Sequence, residues 1–176
     1  MPTVSNTSPL IWLSKVGKLS LLKDLFGEVS ISEESYREAV EVGLKEGFSD
    51  ALVIKEACDQ GWLKVKMLDE KQKAICQMII QQSFELHLGE VQAVVLARGL
   101  GKDALLLMDE SCGRVFAETW GLRVRGVLYV IITALRRELF GATEAKEVVL
   151  ALVRKGFRIE PKLLARVLEE IDSQAK

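Results

Sequence analysis

The sequence is poor in the residues that build zinc sites and disulfide frameworks. Its 176 residues include three cysteines and one histidine. Cys58, Cys76 and Cys112 are odd in number and widely spaced, so they form no Cys-x-x-Cys pair, and His87 cannot complete a zinc site with them. We therefore expect reduced cysteines, which are typical of a cytosolic protein.

Long apolar runs and an excess of charge of one sign are also missing. No stretch approaches about 18 uncharged apolar residues, and Met1 to Asn6 lack the basic and apolar regions of a signal peptide. Lys and Arg total 24 against 25 Asp and Glu, for a net charge of −1. No global basic field therefore draws the chain to nucleic acid, although a local basic patch is compatible with this balance. We expect a soluble, cytoplasmic protein with no membrane partner.

The most informative segment lies between residues 102 and 114. Ala104 to Met108 are five consecutive apolar residues, followed at once by the carboxylates Asp109 and Glu110. A short apolar run bounded by turns predicts a parallel strand that is buried on both faces. Ser111 to Trp120 then has the spacing of an amphipathic helix. Because open α/β folds bind ligands at the carboxyl ends of their strands, the two acids are candidate site residues.

The rest of the chain alternates between short strand patterns and longer helix patterns. Strands are expected near residues 3–5, 29–31, 62–68, 104–108 and 122–125. This alternation predicts a three-layer α/β/α fold with a central, mainly parallel sheet. A weak boundary near Gly141 divides a domain of residues 1–140 from a C-terminal helical extension, 141–176, which we expect to pack on it outside the site.

Polar residues stand where this topology would gather them. Asn6 ends the first strand, Glu38 lies in the helix after the second, and Glu90 begins the helix that precedes the Asp109 strand. Two charges about 4 Å apart repel by about 4 kcal/mol at an effective dielectric near 20, so clustered acids favour a divalent cation among them. Oxygen ligands without His or Cys favour Mg²⁺ or Mn²⁺ over zinc.

Each of these residues also has a simpler interpretation. Glu38 and Glu90 could be surface acids that favour a helix dipole. Asp109 could be the N-cap of the helix that follows it. Asn6 could be a turn residue. None of them is specific by itself.

Four segments, taken in order, resemble the PIN-domain family. They are Ser5-Asn-Thr-Ser-Pro-Leu-Ile11; Gly89-Glu90 with Ala93, Leu96 and Ala97; Leu107-Met-Asp-Glu110 with Arg114 and Ala117; and Gly121-Leu-Arg-Val-Arg-Gly-Val-Leu128. More narrowly, they resemble the branch of predicted nucleic-acid-binding PIN proteins that is related to VapC-type toxins. The similarity spans roughly residues 4–139.

This resemblance implies a PIN-type endoribonuclease that depends on Mg²⁺ or Mn²⁺, with RNA as its partner. It further implies a homodimer and the toxin half of a toxin–antitoxin pair, masked by a small antitoxin protein. The implied catalytic residues are Glu38, Glu90, Asp109 and Glu110. The implied metal ligands are Asn6, Glu90, Asp109 and Glu110. Ser8 and Arg114 are implied as supporting residues.

Asn6 departs from the family pattern, because many PIN nucleases have aspartate at this position. An amide supplies an oxygen but no charge, and it cannot act as a base. The alternative function is therefore a PIN-like module that has lost catalysis and binds RNA or a protein partner without cleavage. Whether Asp109 or Glu110 matches the last acid of the family stays open, since the branch usually has two aspartates there.

Overall fold

Within residues 1–174, which the computed structural model describes, five short strands form one sheet. The strands are β1 (Thr3–Ser5), β2 (Val29–Ser32), β3 (Leu63–Lys66), β4 (Leu105–Leu107) and β5 (Arg123–Arg125). All neighbouring strands are parallel, in the order β3-β2-β1-β4-β5. The chain steps outward from β1 in one direction and then resumes at β4 on the other side of β1. The gap between the carboxyl ends of β1 and β4 is therefore the switch point where α/β sheets bind ligands.

Helices cover both faces of this sheet. They are α1 (Thr7–Lys15), α2 (Leu21–Phe26), α3 (Glu33–Tyr36), α4 (Gly43–Lys45), α5 (Ser49–Asp59), α6 (Glu70–Gln82), α7 (Leu88–Leu100), α8 (Ser111–Thr119), α9 (Val127–Arg136), α10 (Ala142–Arg154) and α11 (Pro161–Ser173). A π-helical segment, Arg37–Val42, joins α3 to α4. The predicted three-layer α/β fold with a parallel sheet is confirmed. No helix among residues 1–174 is long and apolar enough to cross a membrane.

The alternating burial of β4 explains why its sequence is apolar throughout. Leu105 and Leu107 pack in one core with α1, α2, α5 and α9, while Leu106 packs in a second core with α7 and α8. Successive side chains of a strand point to opposite faces, so a strand covered on both sides needs no polar positions. This burial fixes β4 and places the residues that follow it at the edge of the sheet.

The two C-terminal helices share the first of these cores. Val148 and Leu152 of α10 and Val167 and Ile171 of α11 are buried in the same cluster as Leu105. The extension predicted from residue 141 thus packs against the helices that cover the sheet. Its last helix ends at Ser173, and residues 175 and 176 of the predicted extension lie outside the described residues.

Candidate active site

Asn6 and Glu110 meet at the switch point between β1 and β4. Ser5 is paired with Leu107 in the parallel register, so the residues that follow the two strands emerge side by side. Asn6 is almost fully buried, and its Nδ2 donates a hydrogen bond of 3.2 Å to Oε2 of Glu110. Its Oδ1 lies 3.5 Å from the hydroxyl of Ser35, which follows β2. The amide therefore connects the carboxyl ends of three strands.

Glu38 reaches the same edge from the π-helical segment. Thr7, the first residue of α1, donates a hydrogen bond of 2.6 Å from Oγ1 to Glu38 Oε2. The carboxylate lies directly over Gly89, where a Cβ atom would be 2.9 Å from Oε2. A side chain at position 89 would therefore displace the Glu38 carboxylate. Short π-helical segments within α-helices are frequent at functional sites.

Glu90 is buried in the first turn of α7. Its Oε2 accepts a hydrogen bond of 2.7 Å from the backbone N–H of His87, which precedes the helix. Burial raises the pKa of Glu90; the His87 N–H lowers it, and the charges of Glu110 and Glu38 raise it further. Glu90 is thus not a solvated surface acid but one of three neighbouring carboxylates.

Asp109 does not cap the helix that follows it in the chain. Its Oδ1 instead accepts a hydrogen bond of 3.0 Å from the N–H of Val127, the first residue of α9. Glu110 stands at the N-cap position of α8, without a side-chain cap. A Cβ atom at Gly126 would collide with Asp109 Oδ1, so any other residue at this position would displace the carboxylate from the start of α9. The predicted N-cap alternative is therefore wrong for α8, because the carboxylate binds the N-terminus of a different helix.

The second oxygen of Asp109 is orphaned. Oδ2 is buried and has no hydrogen-bond partner among residues 1–174. Burial raises the pKa of Asp109 to about 6; the Val127 N–H lowers it, the charge of Glu110 raises it and that of Arg114 lowers it. Buried carboxylate oxygens ordinarily have a partner, so this atom is available to a cation.

Two neighbouring cavities open at this edge of the sheet. The smaller, of about 210 Å³, is lined by Asn6, Thr7, Ser8, Ile11, Glu38, His87, Glu90 and Glu110. The larger, of about 520 Å³, is lined by Ser8, Trp12, Glu85, His87, Glu90, Asp109, Glu110, Ser111, Cys112, Gly156, Phe157 and Arg158. We call them together the acidic cleft. Glu90 and Glu110 border both cavities, whereas Asp109 borders only the larger one.

The two predicted supporting residues are placed differently. Ser8 lines both cavities of the acidic cleft. Arg114 lines neither, and its Nη1 donates a hydrogen bond of 2.9 Å to the carbonyl oxygen of Met108. Arg114 therefore braces the turn between β4 and α8 and moderates the charge of Asp109 beside it.

The chemistry of the donors in the acidic cleft fits a hard divalent cation. The side chains that could hold one are Asn6, Glu90, Asp109 and Glu110. They supply carboxylate and amide oxygens, and the orphaned Asp109 Oδ2 lacks the partner that a cation would provide. In their present conformations, no three Asp, Glu, His or Cys side chains among residues 1–174 lie close enough together to hold a metal ion.

A model of the PIN-domain family matches residues 2–173. The chain belongs to the PIN-domain family. Neither a search of the curated proteins nor a search of the solved structures found a match. The predicted family is confirmed, and the match continues beyond residue 139 through α10 and α11. A PIN domain has a nuclease-type fold, commonly binds nucleic acid and generally depends on a divalent metal.

The loop between α10 and α11 borders the acidic cleft, a position that the sequence did not predict. Gly156, Phe157 and Arg158, in the loop between α10 and α11, line the larger cavity. The sequence predicted that the C-terminal helices stand outside the site, and the loop that joins them does not. No local motif marks it, because its position depends on how α10 and α11 pack against α9.

Proposed function

We propose that this PIN domain is an endoribonuclease dependent on Mg²⁺ or Mn²⁺, with its active site in the acidic cleft. The observation that carries the proposal is the grouping of Glu38, Glu90 and Glu110 beside Asn6 around the smaller cavity. Asp109, whose buried Oδ2 has no hydrogen-bond partner among residues 1–174, lines the adjoining larger cavity together with Glu90 and Glu110. Family membership supports the same activity, since PIN domains have a nuclease-type fold.

The electrostatics of the cleft support a bound cation. Burial and neighbouring carboxylates raise the pKa values of Glu90 and Asp109, so the ionised cleft is unfavourable when nothing neutralises it. A divalent ion held by Glu90, Asp109, Glu110 and Asn6 would remove this cost. Once bound, such an ion stabilises negative charge on a phosphate and makes a coordinated water more acidic.

Two protein groups remain for other tasks in the reaction. Thr7 occupies Oε2 of Glu38, which leaves Oε1 available to accept a proton from an attacking water. Gly89 beneath this carboxylate and Thr7 beside it fix its position. The hydroxyl of Ser8, which lines both cavities, would donate a hydrogen bond to a phosphate oxygen.

Asn6 favours a second candidate function, RNA binding without cleavage. Its amide donates to Glu110 Oε2 and so stabilises that carboxylate in a way that an aspartate could not. The N–H group of the amide partly takes the role that a cation would have at Glu110 Oε2, and the amide cannot act as a general base. A chain that depends on this bond could retain the fold and bind RNA, yet cleave it poorly.

Cleavage of a labelled single-stranded RNA distinguishes these functions. The parent, Glu90→Gln and the control Glu147→Gln are compared in Mn²⁺, in Mg²⁺ and in chelator. The glutamine of the first variant keeps an acceptor for the His87 N–H but loses the charge, whereas Glu147 is exposed on α10. We expect metal-dependent cleavage by the parent and the control, and a loss of at least about 100-fold in Glu90→Gln.

Binding without cleavage in any metal would favour the second function, and metal-independent cleavage that survives Glu90→Gln would contradict the first. The toxin role, the small antitoxin, the homodimer and the cytoplasmic location stay predictions from the family resemblance. So does the division into residues 1–140 and a C-terminal extension.

A further inference from the structure

A groove with four arginines adjoins the acidic cleft. It has a volume of about 540 Å³ and is bordered by the start of α9, the loop between α10 and α11, and α11. Its arginines are Arg114, Arg125, Arg136 and Arg158, and we call it the arginine groove. We propose that this groove binds the backbone of single-stranded RNA and leads it into the acidic cleft. The proposal rests on the proposed function, because it gives the substrate of that site a path.

The groove and the larger cavity of the acidic cleft are continuous. Asp109, Phe157 and Arg158 line both of them. A single strand of RNA lying in the groove would therefore pass Arg158 and reach the carboxylates of the acidic cleft without crossing another surface. Arg158 comes from the C-terminal extension, so this part of the chain would contribute to substrate binding.

The arginines differ in how free they are to meet a phosphate. Arg158 is exposed and takes part in none of the ion pairs found within residues 1–174. Arg125 bonds a backbone carbonyl through Nη1 and lies over the ring of Tyr129, 5.6 Å from its centroid. Arg136 is paired with Glu170. We therefore assign the main phosphate contacts to Arg158 and Arg125.

The local charge favours a polyanion more than the whole chain does. Four arginines face three acids in the groove, Asp109, Glu160 and Glu170. One of these acids is neutralised by Arg136, and Asp109 belongs to the candidate site. The excess of positive charge in the groove is small, but it lies beside the candidate active site in a chain whose net charge is −1.

Aromatic rings favour single-stranded RNA over other polyanions. Tyr129 and Phe157 are half-buried rings that line the groove, and Phe157 packs edge-on against Trp12 with centroids 5.3 Å apart. Unpaired bases stack on such rings while arginines hold the backbone, and the bases of a duplex are not available for this. An acidic protein segment would use the arginines but leave the rings without a partner.

The test measures binding in chelator, so that it does not depend on cleavage. Fluorescence anisotropy with a short labelled RNA is recorded over a series of salt concentrations for the parent, Arg158→Ala, Arg158→Lys and the control Arg98→Ala. Arg98 is exposed at the far end of α7 and lines neither the groove nor the cleft. We expect Arg158→Ala to raise the Kd about fivefold and to reduce the slope of log K against log salt by about 0.7, the value for one phosphate contact on a single strand.

The lysine variant and Arg98→Ala should stay close to the parent, and duplex RNA and a poly-glutamate peptide should bind more weakly than the single strand. An unchanged Kd and slope in Arg158→Ala would overturn the groove even if the parent cleaves RNA. A weakened Arg158→Ala together with no cleavage by the parent would support the groove and count against the nuclease. Tighter binding of poly-glutamate than of RNA would also overturn the proposal, because it would assign the groove to an acidic protein.

Discussion

Replacing Asp109 by asparagine should stabilise the metal-free protein at neutral pH or leave its stability unchanged. The pKa of Asp109 rises from an ordinary value near 3.9 to about 6 in the folded chain. A difference of about two pKa units corresponds to a cost of up to about 3 kcal/mol when the group is ionised. Asparagine keeps an acceptor for the Val127 N–H and removes the charge. Its own N–H₂ group would lie where Oδ2 is orphaned, and a buried donor without a partner costs about 1–3 kcal/mol, so the two effects partly offset each other.

The dependence on pH gives this prediction its sign. The pKa of Asp109 is higher in the folded chain than in the unfolded chain. The stability that protonated Asp109 contributes is therefore fully present below its pKa in the unfolded chain, near 3.9, and is lost as the pH rises through its folded-state pKa of about 6. The free energy of unfolding of Asp109→Asn relative to the parent should therefore increase between about pH 4 and about pH 6 and level off at higher pH. Urea denaturation in chelator measures it, with the exposed Asp103→Asn as the matched control.

Adding Mn²⁺ completes the experiment. The parent and Asp103→Asn should gain stability from the ion, and Asp109→Asn should gain less. An ion that binds only the folded state stabilises it to an extent that increases with the strength of binding, and Asp109→Asn should bind Mn²⁺ more weakly. A relative stability of Asp109→Asn that falls with rising pH would refute the pKa argument. An equal gain from Mn²⁺ in all three proteins would remove Asp109 from the site.

Three further predictions concern other parts of the chain. Asn6→Asp should lower the melting temperature in chelator, because the substitution removes the amide donor to Glu110 and adds a charge, and the variant should regain stability in Mn²⁺. A rise in melting temperature on adding Mn²⁺ that is no larger than that of the parent would show that residue 6 does not contact the ion. Gly126→Ala should displace Asp109 and weaken Mn²⁺ binding in a calorimetric titration, whereas Gly141→Ala, whose Cβ meets nothing within 4 Å, should not. Equal effects of the two substitutions would contradict the close contact between residue 126 and the Asp109 carboxylate. Deleting the chain from Pro161 onward should expose the core that α11 covers and lower thermal stability or change the elution volume, and unchanged values of both would refute this.

The sheet and its carboxyl edge could be predicted because they follow from local patterns. The unbroken apolar run of β4 predicts a strand covered on both faces, and its two flanking cores have that arrangement. Parallel topology then brings the residue after β1 next to the residues after β4. The proximity of positions 6 and 110 follows from this register, whereas the hydrogen bond between their side chains also depends on side-chain conformation.

Other features of the site depend on contacts between distant segments and could not be predicted. Asp109 binds the N-terminus of α9, a helix 18 residues further along the chain, although the adjacent sequence suggested an N-cap for α8. Glu38 projects from a π-helical segment that no periodicity announces. Arg158 reaches the cleft through the packing of α10 and α11. In each case the sequence supplies the residue, and the tertiary packing decides what it faces.

A crystal soaked in manganese would show directly whether the acidic cleft binds a divalent ion. Anomalous scattering locates the ion without any assumption about catalysis. We expect a peak at the carboxyl edge between β1 and β4, within coordination distance of oxygens of Glu90, Asp109 and Glu110. A crystal in millimolar Mn²⁺ with no peak there, or with peaks only at exposed carboxylates elsewhere, would contradict it.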